Sequence, residues 1–222
     1  MIKYVSTDDR NYVNPKLLKD YKQYPGPLHV YDSWPHCFLP ILFGQGMTEK
    51  TRLLDVGCGP LRGGRHLIAF LEKGNYFGIE PEKRMVRIAL REEIVKKLGR
   101  SFLKYKDPKF SYNSDFDFSE FETSFDMIIA IQVFIHCGRK QFCQCLSSVQ
   151  KFLRSSGKFI LSVQIAATDG ERDKRPTDHW SYRYASHSGT CYKLETFLSI
   201  VDQYGFKAEN IKGHLWSLTR KE

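Results

Sequence analysis

A chain of 222 residues, 41% hydrophobic and 27% charged, has the length and composition of one globular α/β domain. Its longest apolar run, Met127–Ile131, is strand-sized rather than membrane-spanning, and the opening MIKYVSTDDR lacks the apolar segment of a secretion signal, so a cytoplasmic location is expected. The formal charge of +9 keeps nucleic acid among the partners to weigh, while six cysteines without a single C-x-x-C pair argue against zinc and, in that compartment, against disulfides.

Residues 1–50 read as an irregular cap. Pro15, Pro25, Pro27, Pro35 and Pro40 interrupt every candidate helix except a short one near Pro15–Tyr21. Tyr21, Tyr24, Tyr31, Trp34, Phe38 and Phe43 give this stretch the apolar surface to lie on a core. From Thr51 a strand–helix rhythm begins. Leu53–Val56 is an apolar strand, followed by a glycine-rich turn and a helix over Gly63–Glu72. Tyr76–Ile79 is a second strand, and Pro81, a good first-turn residue, opens a long helix over Glu82–Leu98.

Residues 82–106 hold nine Lys or Arg against three acids. On a helical wheel Arg84, Arg87 and Arg91 oppose Met85, Val86, Ala89, Leu90 and Ile94, the pattern of a solvated basic face over an apolar stripe. No aromatic residues interleave with these arginines as stacking platforms, so a phosphate-tracking surface is the less favoured reading.

Phe110–Asn113 is a third, weaker strand. Phe125–Ile131 is a fourth, apolar on both faces as a central parallel strand requires. A helix follows over Lys140–Leu153, which puts Cys143 and Cys145 on different faces; Ser155-Ser156-Gly157 closes it, and Lys158–Ile165 is the fifth strand. Residues 167–191 form a polar excursion without regular structure. Leu194–Tyr204 reads as a helix ended by Gly205, and Phe206–Ile211 and His214–Arg220 as two strands. The turn between those strands is too short for a crossover helix, so they pair antiparallel. The expected fold is α/β: a doubly wound, mostly parallel seven-stranded sheet with a reversed last strand.

Ligands of such sheets bind at the carboxyl ends of the strands. The first strand runs into Leu54-Asp55-Val56-Gly57-Cys58-Gly59-Pro60-Leu61-Arg62-Gly63-Gly64, where Gly57 and Gly59 allow a tight turn and close backbone approach. The second strand ends in Glu80, 21 residues after Gly59, placed to accept hydrogen bonds from a ribose diol. A dinucleotide fingerprint needs a third glycine at position 62, where Arg stands, and no G-K-[ST] follows for a Walker loop. Asp55 would repel a pyrophosphate but could accept from an ammonium group. An adenosine carrying a cationic amino-acid portion suits this combination.

Leu54–Gly59, then Phe77-Gly-Ile-Glu80-Pro81, then Phe125–Ile131 resemble the ordered motifs of class I S-adenosylmethionine-dependent methyltransferases, and the closing strand pair resembles that family's sheet edge. The Gly-Pro-Leu-Arg-Gly-Gly run and Val133-Phe134-Ile135-His136 resemble a subgroup of small bacterial and phage-type members. The resemblance implies S-adenosyl-L-methionine as cofactor. It implies that Asp55, Gly57, Cys58 and Gly59 surround the methionine and ribose, that Glu80, with Pro81 beside it, holds the ribose hydroxyls, and that Ile131 and Gln132 touch the methionine end. It also implies an acidic or polar residue at the adenine amine, for which Asp115 is the choice and Asp117 the rival, with Phe116 covering the ring.

The chain is expected to form a single domain: a cap at 1–50, a cofactor-binding core at 51–165, a substrate lid at 166–192 and a closing helix and strand pair at 193–222. Arg62 and Arg65 stand in the opening turns of the first helix, where positive charge is unfavourable, so a carboxylate or anionic substrate is their candidate partner. His136, after the fourth strand, is the candidate general base. The excursion contributes His179, Trp180, Tyr182, Tyr184 and His187 as candidate substrate contacts. An Asn-Pro-Pro-Tyr-type signature for amino-group methylation is missing after the fourth strand, which points to O-methylation of a small molecule or saccharide. An RNA methyltransferase using the basic surface is the alternative; a non-catalytic binding module and a nicotinamide oxidoreductase rank below it.

Overall fold

A computed structural model describes residues 21–22, 28–172 and 189–221. Seven strands form one sheet: β1 (Leu53–Val56), β2 (Tyr76–Ile79), β3 (Lys109–Ser111), β4 (Phe125–Ala130), β5 (Leu153–Ser162), β9 (Phe206–Lys212) and β10 (Leu215–Arg220), in the order β3-β2-β1-β4-β5-β10-β9. The chain divides into two compact units, Met1–Lys50 with Cys58–Tyr112 and Thr51–Gly57 with Asn113–Glu222.

In the first unit β2 and β3 pair in parallel, with Phe77 opposite Lys109 and Ile79 opposite Ser111. Helix α1 (Leu28–Gly44) overturns the expectation of an irregular cap, because it carries both Pro35 and Pro40 inside it. A proline at position 35 leaves the carbonyl of Tyr31, four residues back, without its helical donor. The Arg65 guanidinium meets that carbonyl at 3.4 Å and stacks on the Tyr31 ring at 4.2 Å from its centre. The helix thus finds its missing donor in a side chain from outside itself. Tyr31, Trp34 and Leu42 are buried, as the aromatic content of this segment implies, whereas Phe43 stays largely exposed beside Phe70.

Helix α2 (Gly64–Phe70) follows the glycine turn. Helix α3 (Lys83–Ala89) is capped by Glu82, whose side chain accepts from the Arg84 amide at 3.3 Å. It runs on through a π-helical turn, Leu90–Val95, into α4 (Lys96–Leu98). The apolar stripe read from the wheel is buried and gains Ile88, while Arg84 faces solvent. Helix α5 (Arg100–Lys106) was not legible in the sequence, because none of its residues is buried and no apolar period marks it.

The π turn brings Glu93 inward, 3% exposed. Three cations surround its carboxylate, Arg65 at 3.1 Å, Lys97 at 2.5 Å and Lys22 at 3.3 Å, and the Tyr21 hydroxyl donates to it. Asp32 on α1 pairs with the other side of Arg65 at 3.0 Å.

In the second unit β1 and β4 pair in parallel, Leu54 opposite Ile128, and β4 pairs in parallel with β5, Ile129 opposite Ile160. Helix α6 (Arg139–Phe152) runs straight into β5, which begins at Leu153 rather than at Lys158. Pairing with β4 jumps from Leu153 opposite Phe125 to Lys158 opposite Met127, so Ser155-Ser156-Gly157 is a bulge within the strand and not a turn before it. A Cβ on Gly157 would stand 3.0 Å from the Asp126 carbonyl, which is why glycine fits the bulge. β10 lies antiparallel to both β5 and β9, giving the reversed last strand.

The excursion after β5 is not devoid of regular structure. β6 (Gln164–Ile165), β7 (Gly170–Arg172) and β8 (Gly189–Tyr192) form a small sheet in the order β6-β8-β7, and helix α7 (Leu194–Gln203) follows. Asp169 accepts from the Lys193 amide at 2.7 Å and the Thr196 hydroxyl at 2.8 Å, capping α7. Among the described residues no helix is long and apolar enough to cross a membrane.

Burial alone would raise the Glu93 pKa, but hydrogen bonds from Lys97 and Tyr21 and the charges of Arg65 and Lys22 bring it from the ordinary 4.5 down to about 2. The folded state therefore takes up this proton less readily than the unfolded chain. The stability it contributes is complete above about pH 4.5 and is lost as pH falls towards 2. Melting temperatures followed through that window should drop steeply in the wild type and less so in Glu93→Gln, which starts lower and has no carboxyl to titrate.

Candidate active site

The turn after β1 is built from left-handed residues. Gly57 has φ +68°, Gly59 φ +51° and Leu61, without glycine's freedom, φ +56°. A Cβ on Gly57 would come within 2.7 Å of a Val133 methyl, so the bend leaves space only for backbone there. The Leu61 amide donates to the Cys58 carbonyl at 3.0 Å, and the Cys58 amide to Ile79 at the end of β2, also at 3.0 Å. Cys58 itself is buried.

Glu80 is buried at 5% exposure. Its Oε2 accepts from the Gly59 amide at 3.1 Å and its Oε1 from the Glu82 amide at 3.1 Å. The Gly59–Glu80 hydrogen bond joins the glycine turn to the acid that follows β2, a contact the spacing alone did not reveal. Two backbone donors fix the plane of a carboxylate that can accept about four hydrogen bonds, which suits a vicinal diol. Pro81 is partly exposed beside it. Asp55 is buried at 7% exposure, one residue before the end of β1 and opposite Ile129.

Of the two acids considered for the adenine amine, Asp117 accepts from the Ser119 amide at 2.9 Å and hydroxyl at 3.0 Å and caps the short 3-10 turn Ser119–Phe121. Asp115 is exposed, as is Asp117. Phe116 has φ +58° and is 8% exposed, with its ring 6.3 Å from that of Phe134. At the end of β4, Ile131 is partly exposed and Gln132 is exposed. Gln132 has φ +65° and is held by its amide donating to Ser162 Oγ at 2.6 Å. Ser162, at the last position of β5, escaped the sequence reading; a hydroxyl ending an otherwise apolar strand was its signal.

His136 ends a 3-10 turn, Phe134–His136, anchored by Phe134 against Phe142 at 4.8 Å. Burial lowers the imidazole pKa from its ordinary 6.5, so the ring is neutral at neutral pH. Burial likewise pushes the neighbouring Cys137 thiol up to about 12, which removes it as a nucleophile. The Thr190 hydroxyl donates to the Cys137 carbonyl at 2.7 Å and ties β8 to this turn.

The two arginines of the glycine loop part company. Arg62 is buried at 7% exposure. Arg65, a candidate for a ligand anion, is instead committed to Glu93, Asp32 and the Tyr31 carbonyl. His179, Trp180, Tyr182, Tyr184 and His187 lie outside the described residues. Among the described residues no group of His, Cys, Asp and Glu has the arrangement to hold a metal.

Residues 54–159 match a family model described as a methyltransferase domain. No curated protein matches the chain by sequence. Among solved structures, the magnesium protoporphyrin IX methyltransferase of Synechocystis PCC 6803 with bound S-adenosylmethionine is 16% identical with a TM-score of 0.59, over 96% of this chain and 93% of that one. The CcbJ methyltransferase of Streptomyces caelestis is 12% identical with a TM-score of 0.63, over 93% and 96%. A glycopeptide N-methyltransferase, MtfA, complexed with S-adenosylhomocysteine, is 12% identical with a TM-score of 0.59, over 82% and 87%. At these identities the likeness is one of fold, and it agrees with the motifs and the matched domain. Residues 54–159 thus carry a methyltransferase domain, and the sheet around it has the fold of the S-adenosylmethionine-dependent methyltransferases.

Proposed function

We propose that this enzyme methylates a hydroxyl of a small molecule or saccharide in the cytoplasm, with His136 as general base. The observation that carries this reading is the neutral, half-buried imidazole on the 3-10 turn that follows β4. A hydroxyl must lose its proton as it attacks, and burial keeps this nitrogen base unprotonated at neutral pH. Gln132-Val133-Phe134-Ile135 occupies the segment where an amino-group methylase would carry its Asn-Pro-Pro-Tyr-type signature.

S-adenosylmethionine supplies an electrophilic methyl group on its sulfonium. Glu80 is assigned to the ribose hydroxyls, Asp55 to the ammonium of the methionine portion, and Gly57 and Gly59 to close backbone approach. Asp115 is assigned to the adenine amine, Phe116 to the ring and Gln132 to the methionine end. Arg62, buried beside the glycine turn, is the candidate for an anionic substrate group. The rest of catalysis is positioning and water exclusion, which residues 166–192, as substrate lid, would provide.

A small acceptor is favoured over RNA by two observations. Neighbours of similar fold are named for magnesium protoporphyrin IX and for a glycopeptide. The basic stretch is also partly neutralised: Arg91 and Lys96 pair with Glu92, and Lys97 with Glu93. RNA should consequently bind weakly or not at all near physiological salt. High affinity for RNA, lost steeply between about 50 and 200 mM salt, would reverse this choice.

Glu80→Ala should weaken S-adenosylhomocysteine binding by about 1–3 kcal/mol, the loss of hydrogen bonds to the ribose; calorimetry showing unchanged affinity would remove Glu80 from the site. His136→Ala should cut turnover on the true acceptor at least about a hundredfold while cofactor affinity holds. In the wild type, turnover should fall on the acid side only below pH 6.5, since the folded imidazole titrates lower than an exposed one. Full turnover in His136→Ala would exclude it as the base.

A further inference from the structure

Leu61 is a buried, non-glycine residue held in a left-handed conformation, 0% exposed and at φ +56°. Such a conformation is unfavourable for a residue with a Cβ and persists only where its surroundings impose it. The imposing contacts come from α1. The Tyr31 hydroxyl, on a side chain 0% exposed, donates to the Pro60 carbonyl at 3.0 Å, within the peptide that leads into Leu61. Two residues further on, the backbone of Gly63 lies so close to Trp34 that a Cβ there would stand 2.5 Å from the indole. The glycine at 63 is therefore an adaptation to α1 rather than to a ligand.

Tyr31 is itself held from behind. Arg65 stacks on its ring and bonds its carbonyl, and Arg65 is fixed in turn by Glu93 at 3.1 Å. Burial, reinforced by the Glu93 charge, raises the Tyr31 pKa, so the phenol remains a donor across the physiological range. All of these groups belong to the same compact unit.

We infer that Tyr31 is a positioning residue for the cofactor. Its hydroxyl holds the Pro60 carbonyl and with it the ligand-accepting shape of the glycine turn, while Glu93, acting through Arg65, holds Tyr31. Docking of the N-terminal helix and affinity for S-adenosylmethionine are on this view one equilibrium. The inference rests on the reading that the glycine turn binds the cofactor.

The test uses the full chain and S-adenosylhomocysteine as probe, titrated by calorimetry well below Tm. Tyr31→Phe keeps the ring for Arg65 and removes only the donor; its Kd should rise about three- to tenfold. Glu93→Gln should raise Kd in the same direction, and Glu93→Asp, which keeps the charge, should recover most of the loss. The double variant Tyr31→Phe with Glu93→Gln should be no weaker than the weaker single variant, because both act through one contact. A lowered Tm with unchanged Kd in Tyr31→Phe would mean a purely structural role and overturn the inference. Additive losses in the double variant would overturn the relay through Arg65. A wild-type chain without affinity for S-adenosylhomocysteine would instead overturn the cofactor reading underneath it.

Discussion

The hydrogen bond from the Gly59 amide to the Glu80 carboxylate is the constraint around which the site is organised. A charged carboxylate at 5% exposure is tolerable only if its charge is answered by donors, and two backbone amides answer it here. The same bond fixes where the loop following β1 stands with respect to the end of β2. The Cys58 amide repeats the tie one residue earlier by donating to Ile79. With both in place, the left-handed bend at Gly59 has little freedom and is formed by the chain's own hydrogen bonds.

Around that loop the molecule solves a problem of its own making. A helix with two internal prolines forfeits backbone hydrogen bonds, and buried carbonyls need partners. Arg65 answers the carbonyl left open by Pro35, and its charge is answered by Glu93, delivered inward by a π turn. Each device would be unfavourable alone. Arginine near a helix N-terminus, glutamate in a core and proline in mid-helix become compatible because they meet. Sequence rules that judge each residue singly flag all three as anomalies.

That explains what could and could not be read in advance. The strands Leu53–Val56 and Tyr76–Ile79 were legible to the residue, since short apolar runs bounded by turn residues leave little choice. The tight turn at Gly57 and Gly59 was legible because glycine's conformational freedom is a local property of the chain. The N-terminal helix was not, since the donor that permits Pro35 lies 30 residues away at position 65. Nor was the start of β5, where Ser-Ser-Gly has the composition of a turn but is a bulge accommodated by the edge of β4. The strands β7 and β8 were hidden for a similar reason: each is short and polar, and only their pairing identifies them.

The position of β10 carries an implication for biosynthesis. β9 reaches the sheet solely through β10, which is inserted between it and β5. As the ribosome releases the chain from its N-terminal side, the parallel strands through β5 can assemble early, but β9 has no neighbour to join until the segment after Gly213 has emerged. Until then Phe159 and Ile160 present an unprotected apolar strand edge to the cell. The strand that seals this edge emerges after β9, so nascent chains stalled before Leu215 leave it open to aggregation.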